Sequence, residues 1–503
     1  MELTLVFVHG WSVTNLDTYG ELPLRLKTEA AQQNVSINIK NVFLGKYISF
    51  HDEVQLKDIS RAFEMAINDQ LKGVERFVCI THSTGGPVVR DWWNRFQSNS
   101  IPRVSHLIML APANFGSALA QLGKGKLSRL SSFFNGVEPG QGVLDWLSLG
   151  SSDAWELNKN WILSNGNKIG PNGIFPFVLT GQSINRKFYD NLNSYTGEIG
   201  SDGVVRVAAA NLNARYIILE QSNPEKNNSG LYTAHKLVLD ETGIRESFKV
   251  PLKIVKGKSH SGDEMGIMAS VENQLIDLDS ADTISSILNC IKVTSLQDYS
   301  KLQQQFVIET QAIQAFEKIE TEKELFFLKR HFIHDRFCMI IFKIMDTDGN
   351  PVPDFDLLLT AGDHSDPNHL PEGFFADRQQ NQRHKNTVTY FLNYDVMIGS
   401  PAIISEDGKE IRTALKGINK LGLKIIPRPD KGFVRYLPAE LLADKKMFEA
   451  ALMPNSTTLI EIVLQRIVSD EVFKMTPLIN ETMPTKKEGD FSKTIPGNNI
   501  INL

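Results

Sequence analysis

Between Phe77 and Val89 the chain reads Phe-Val-Cys-Ile-Thr-His-Ser-Thr-Gly-Gly-Pro-Val-Val, and this run restricts the fold more than any other. Phe77, Val78, Cys79 and Ile80 predict a buried strand. Pro87 is tolerated only in the first turn of a helix, so a helix begins beside it. Ser83 falls in the turn between the two. A serine on such a strand-to-helix turn sits in strained backbone with its hydroxyl above the end of a sheet. Strand and helix nearly touch there, which calls for small residues; Gly85 and Gly86 supply them. The usual motif places glycine two positions before the serine, where this chain has Thr81.

The segments around this turn alternate in type. Leu3–Val8, Val74–Ile80, His106–Ala111, Ile174–Leu179 and Ala214–Leu219 read as strands. Leu22–Gln32, Leu56–Leu71 and Pro87–Arg95 read as helices. Strands alternating with helices predict a mostly parallel sheet covered on both faces. The expected fold class is therefore α/β, an α/β-hydrolase fold over residues 1–290. From about 117 to 170 the alternation stops, and Phe133, Phe134, Trp146, Trp155 and Trp161 accumulate. This stretch is expected either as a helical cap insertion or as a packed helical excursion.

Residues 291–330 read as a helical connector. From 331 to 470 short apolar runs separated by turns predict an all-β, antiparallel, sandwich-like domain, and 471–503 reads as a C-terminal tail. In the Asp346–Pro351 run the glycine is fourth rather than sixth, and no glutamate occupies the twelfth place, so a hairpin turn is expected and not a calcium loop.

Composition narrows the function classes. A net charge of −5 argues against nucleic-acid binding. Three cysteines, Cys79, Cys290 and Cys338, cannot build a disulfide framework. The Met1–Val8 start has no basic region, so no cleaved leader is expected. Gly123-Lys124-Gly125 lacks the context of a dinucleotide loop, and no zinc-protease motif or paired Cys-x-x-Cys occurs. Neither a cofactor nor a metal is expected to take part in catalysis.

A serine hydroxyl becomes a nucleophile when a base takes its proton and a carboxylate orients that base. In this type of sheet the order along the chain is serine, acid, histidine. Asp202, in the glycine-flanked Gly200–Val205 run, is the candidate acid, although a simple turn residue would look the same. Of the eleven histidines, His235 and His260 follow Asp202 within the first domain. His260 follows the Leu252–Val255 strand in a loop, where a base belongs, and is the candidate. Backbone N–H groups of Thr84 and Trp11 are candidates for an oxyanion hole; an ordinary turn after Val8-His9-Gly10 is the alternative for the latter. Ala111–Ser117 reads as a pocket wall or a plain turn. Phe133, Phe134 and Trp146 are candidates for contact with acyl chains or a bilayer, or for core packing.

Val8-His9-Gly10-Trp11-Ser12-Val13-Thr14, Thr81-His82-Ser83-Thr84-Gly85 and the Ser201–Val205 block together resemble the PlaB-type phospholipases A of Gram-negative bacteria. That family carries Thr-His-Ser-Thr-Gly, which accounts for Thr81. The resemblance implies release of acyl chains from phospholipids and lysophospholipids, with Ser83, Asp202 and His260 as the triad. It also implies peripheral association with the bacterial outer membrane without a cleaved signal, lysis of host cells, and homotetramers. Three other readings stay open at this point. They are a general carboxylesterase or triacylglycerol lipase, a non-catalytic membrane adhesin with a hydrolase fold, and a cytoplasmic location.

Overall fold

The computed structural model describes residues 2–9, 19–49, 51–97, 101–122, 140–164, 166–184, 197–223, 235–274, 278–323, 329–405 and 408–469. The first strands are β1 (Glu2–His9), β2 (Ser36–Phe43), β3 (Phe77–His82), β4 (Val104–Leu110) and β5 (Phe175–Thr180). Next come β6 (Arg215–Gln221), β7 (His235–Leu239), β8 (Arg245–Glu246) and β9 (Leu252–Ile254). Six of them form one parallel sheet in the order β2-β1-β3-β4-β5-β9. Every residue of β5 is buried, as expected for a strand covered on both faces. β2 carries polar residues on alternate positions and lies at the edge, which is why its apolar signal was too thin to read as a strand.

The chain leaves β1 for β2 on one side and returns to β3 on the other, so the strand order reverses between β1 and β3. In open α/β sheets the functional crevice lies at such a point, beyond the carboxyl ends of the strands. Ser83 directly follows β3 there. Helix Leu56–Gln70 packs on helix Gly85–Phe96 through Phe63 and Trp92, edge to face at 5.2 Å, and through Ser60 Oγ donating to the Val88 carbonyl at 3.1 Å. The arrangement is an α/β-hydrolase fold.

Helix Leu296–Phe316, read from sequence as a connector, is a layer of this core. It lies on β9 and buries Tyr299, Leu302 and Phe306. Lys253 of β9 pairs with Glu309 of this helix and with Asp282, each at 2.6 Å.

The second sheet is built differently from expectation. After the small hairpin β10 (Ile319–Lys323) and β11 (Lys329–Ile333) come β12 (Phe337–Asp346), β13 (Phe355–Ala361), β14 (Phe375–Gln380) and β15 (Thr387–Asn393). A short pair, β16 (Ile403–Ile404) and β17 (Glu410–Arg412), precedes β18 (Lys420–Pro427). β19 (Val434–Arg435), β20 (Ala439–Asp444), β21 (Thr457–Leu464) and β22 (Ile467–Val468) complete the described chain, with β19 paired to β22. Among the described residues the large sheet has ten strands, in the order β13-β18-β20-β7-β6-β21-β12-β15-β14, with β8 added on β6.

It is mixed, not antiparallel. β21 runs parallel to both β12 and β6, and β20 parallel to β7. β6 and β7 come from the segment that alternation assigned to the first sheet. Instead of two stacked sheets, one sheet curls. The Tyr390 hydroxyl of β15 donates to the Leu357 carbonyl of β13, near the opposite end of the strand order. The curl encloses Ile217, Ile340, Phe342, Leu359, Leu423 and Ile462. The outer face of the central strands presents Tyr216, Met339, Ile341, Phe391 and Leu459, which belong to the hydrolase core.

Helices Gln141–Leu147 and Ser152–Leu163, within the expected cap, sit between the sheets. The Trp155 ring meets Tyr216 at 6.5 Å, Lys159 pairs with Glu461 at 3.2 Å, and Thr387 Oγ1 donates to the Gly150 carbonyl at 2.9 Å. Asp346 closes its turn by accepting the N–H groups of Asp348 and Asn350. Among the described residues no helix is long and apolar enough to cross a membrane.

Candidate active site

Ser83 has φ +52°, in the left-handed region that side chains other than glycine's avoid. Such a conformation costs on the order of 1–3 kcal/mol and persists only when its surroundings impose it. They do so here: the Ser83 N–H donates to the Leu110 carbonyl at 3.0 Å, and its carbonyl accepts from Gly86 and Ala113, each at 3.3 Å. A Cβ on Gly86 would lie 2.9 Å from Pro112 Cβ, and one on Gly85 would lie 3.0 Å from Thr81 Cβ. The second distance explains the departure at position 81. Thr81 fills the space beneath the turn, and Gly85 yields the room that it takes.

The imidazole of His260 faces the serine. Its Nε2 lies 3.1 Å from Ser83 Oγ, and its Nδ1 lies 3.0 Å from Asp202 Oδ2. Ionised Asp202 can only accept, so Nδ1 carries the proton and Nε2 is left to accept from the serine hydroxyl. Asp202 and His260 are buried, at 0 % and 1 % exposure, whereas Ser83 remains half-buried. The other carboxylate oxygen of Asp202 accepts the N–H groups of Val204 and Val205 at 3.0 and 2.7 Å, which fixes its plane. The His260 N–H donates to the Asp202 carbonyl at 2.9 Å, so acid and base are also tied through the backbone. Glu317, just beyond helix Leu296–Phe316, accepts the Gly257 N–H at 2.7 Å and steadies the start of the His260 loop. Three side chains spread over the sequence thus form one hydrogen-bonded line at the end of the parallel sheet.

His82 takes part in a way that the sequence reading did not foresee. Its Nε2–H donates to the His260 carbonyl at 3.0 Å, and the two rings lie 4.7 Å apart. Burial first, and the neighbouring His260 second, push its pKa down to about 3. Burial likewise pushes His106 down to about 4. A histidine whose folded pKa lies below its unfolded value of about 6.5 binds fewer protons when folded, so stability falls as pH drops. The loss therefore begins near the unfolded value and continues towards the folded ones. His82→Gln, whose amide can still donate, is expected to flatten the fall in urea midpoint between about pH 6.5 and 4. An unchanged slope would remove His82 from this account.

The remaining sequence candidates sit as follows. Thr84, buried at the start of helix Gly85–Phe96, directly follows Ser83. Trp11, Phe133 and Phe134 lie outside the described residues. Trp146 is 4 % exposed and packs in the hydrolase core. His235 opens β7 in the second sheet. Ala111–Ser117 touches the acid turn, since Ser117 Oγ donates to the Val204 carbonyl at 2.6 Å. Among the described residues no cluster of three or more His, Cys, Asp and Glu side chains could hold a metal ion.

The chain is similar to the solved structure of phospholipase PlaB from Legionella pneumophila, with 40% sequence identity and a TM-score of 0.81 over 96% of this chain and 97% of that one. The Legionella phospholipase in complex with thio-NAD aligns at 38% identity and a TM-score of 0.78, over 96% and 98% of the two chains. No family model and no curated protein matches.

Proposed function

Because the chain belongs to the PlaB phospholipase family, we propose that it hydrolyses acyl ester bonds of phospholipids and lysophospholipids through Ser83, His260 and Asp202. The observation that carries this reading is the line of hydrogen bonds from Ser83 through His260 to Asp202, built on a serine at φ +52°.

In this mechanism Ser83 Oγ attacks the ester carbonyl as His260 Nε2 takes its proton. Asp202 holds the imidazole tautomer and stabilises the imidazolium that forms. The Thr84 N–H, together with that of Trp11, donates to the developing oxyanion; one such donor is worth about 2.7–4 kcal/mol. The tetrahedral intermediate collapses, His260 returns the proton to the leaving alcohol, and an acyl-serine remains. Water, deprotonated by the same histidine, then releases the fatty acid and restores the hydroxyl.

The enzyme acts on bilayer surfaces as a peripheral protein of the bacterial outer membrane, lyses the membranes that it attacks, and works as a homotetramer. These properties rest on the family alone.

An organophosphonate followed by peptide mapping tests the chemistry, and the label is expected on Ser83. The substrate class is read from fatty-acid release by phosphatidylcholine and lysophosphatidylcholine vesicles, a triglyceride emulsion and a short-chain ester, with cosedimentation on the same vesicles. Phospholipid and lysophospholipid are expected to lead. Labelling elsewhere, or a clear preference for triglyceride, would overturn the reading.

A further inference from the structure

The turn that carries Asp202 is gripped from the second sheet. It is short and closed: Ser201 and Arg206 form an antiparallel bridge, and the Asp202 N–H donates to the Val205 carbonyl at 3.1 Å. Movement at one end of such a turn is passed directly to the carboxylate in its middle.

Both ends are held by residues far along the chain. Arg206 is 2 % exposed and binds Glu198 in a fork, Nε and Nη2 each 2.8 Å from a carboxylate oxygen. The same Nη2 also donates to Asp377 on β14. The guanidinium lies over the Phe391 ring of β15 at 4.2 Å. At the other end Gly200, with φ +82°, approaches Phe337 of β12 so closely that a Cβ there would lie 2.5 Å from the ring. A buried guanidinium is stable only when paired, and a fork–fork pair fixes direction as well as distance. Glu198 lies on the same loop as the turn and cannot anchor it to anything else. Among the described residues Asp377, with only 12 % of its side chain exposed, is the ionic tie from this turn to the second sheet.

We propose that Asp377 is a positioning residue for the hydrolytic reaction: through Arg206 it holds the acid turn so that Asp202 stays on His260. The proposal rests on the assignment of Asp202 as the acid. It gives the second sheet a specific part in catalysis, since a carboxylate from that sheet sets the geometry of the first.

The test uses the full chain carrying Asp377→Asn, Asp377→Glu or Phe391→Leu. An organophosphonate titrates the active sites, kcat and KM are then expressed per titrated site, and kcat/KM is followed against pH. Asp377→Asn is expected to lower kcat per site by about 10- to 100-fold with KM little changed, as for a small misplacement of a catalytic group. The acid limb of its kcat/KM profile is expected to move to lower pH, because an imidazolium less well supported by Asp202 releases its proton more readily. Asp377→Glu restores most of the rate.

A merely structural role would lower the number of titratable sites and leave per-site kcat and the acid limb in place. Per-site kcat within about two-fold of wild type, with the limb unmoved, overturns the proposal. If Asp377→Asn does not fold, Phe391→Leu keeps both ion pairs, loosens the guanidinium, and is judged by the same readouts. Asp202→Asn separates the two levels. If it retains wild-type activity per site, the assignment of the acid has failed. If it is inactive while Asp377→Asn is normal, only the present proposal has failed.

Discussion

Ser83→Ala is expected to reduce fatty-acid release from phospholipid by about 10⁶-fold in kcat, the scale seen when a serine of such a triad is removed. His260 and Asp202 would remain in place, 3.0 Å apart, with no hydroxyl to activate. What survives is the modest stabilisation that a preorganised oxyanion site gives to attack by water. Substrate binding should change little, because the loss falls on the transition state. The fold should persist, since the backbone hydrogen bonds that hold residue 83 do not use its side chain. Ser83→Gly adds a second readout. Glycine adopts φ +52° without strain, so this variant should be inactive and more stable than Ser83→Ala by about 1 kcal/mol. A Ser83→Ala protein with a tenth of wild-type activity would sink the assignment, as would a phosphonate label that survives the substitution.

A chain ended at Arg330 is expected to lose its soluble, folded state altogether. The parallel sheet and its helices lie upstream of that point, which on its own would make the first domain self-sufficient. The strand pairing says otherwise. β6 would lose β21, its parallel neighbour from Arg215 to Glu220, and β7 would lose β20. The hydrolase core would lose Phe337, Met339, Ile341, Phe391 and Leu459. At about 1.5–3 kcal/mol for each buried side chain, that loss rivals the entire margin of ~5–15 kcal/mol by which domains are stable. The exposed edges of β6 and β7 would also recruit other chains. By the same pairing, residues 331–503 expressed alone would lack the two strands that sit between β20 and β21. Solubility, helix content and phosphonate titration of the truncated chain are the measurements. A monodisperse protein with wild-type activity per site would show that the two sheets are independent.

The candidate site was legible in the sequence where its requirements are local. The serine turn needs an apolar strand, a helix start and small residues within thirteen positions, and all are present from Phe77 to Val89. Asp202 and His260 could be singled out by their order along the chain and by lying in turns after strands. Thr81 stood out as a departure, but its reason lies in the contact with Gly85, which no spacing displays. His82 carried no sign of a role of its own, because its partner is a carbonyl 178 positions away. Arg206 and Asp377 carried no signal, since an arginine and an aspartate 171 positions apart look like any other surface charges.

The sequence by itself determined the character of its strongly apolar segments: that Leu3–Val8, Phe77–Ile80, His106–Leu110 and Phe175–Leu179 become strands, where the strained serine stands, and that an α/β-hydrolase sheet comes first. Tertiary structure alone decided which sheet each strand joins. The run from Arg215 to Gln221 has the same period of two wherever it pairs, and a strand's side chains do not announce their neighbour. Its place beside β21 was settled by matching apolar faces across some 240 intervening residues. That long-range pairing brings Asp377 and Phe391 against the acid turn, and with them the part of the site that no local pattern could encode.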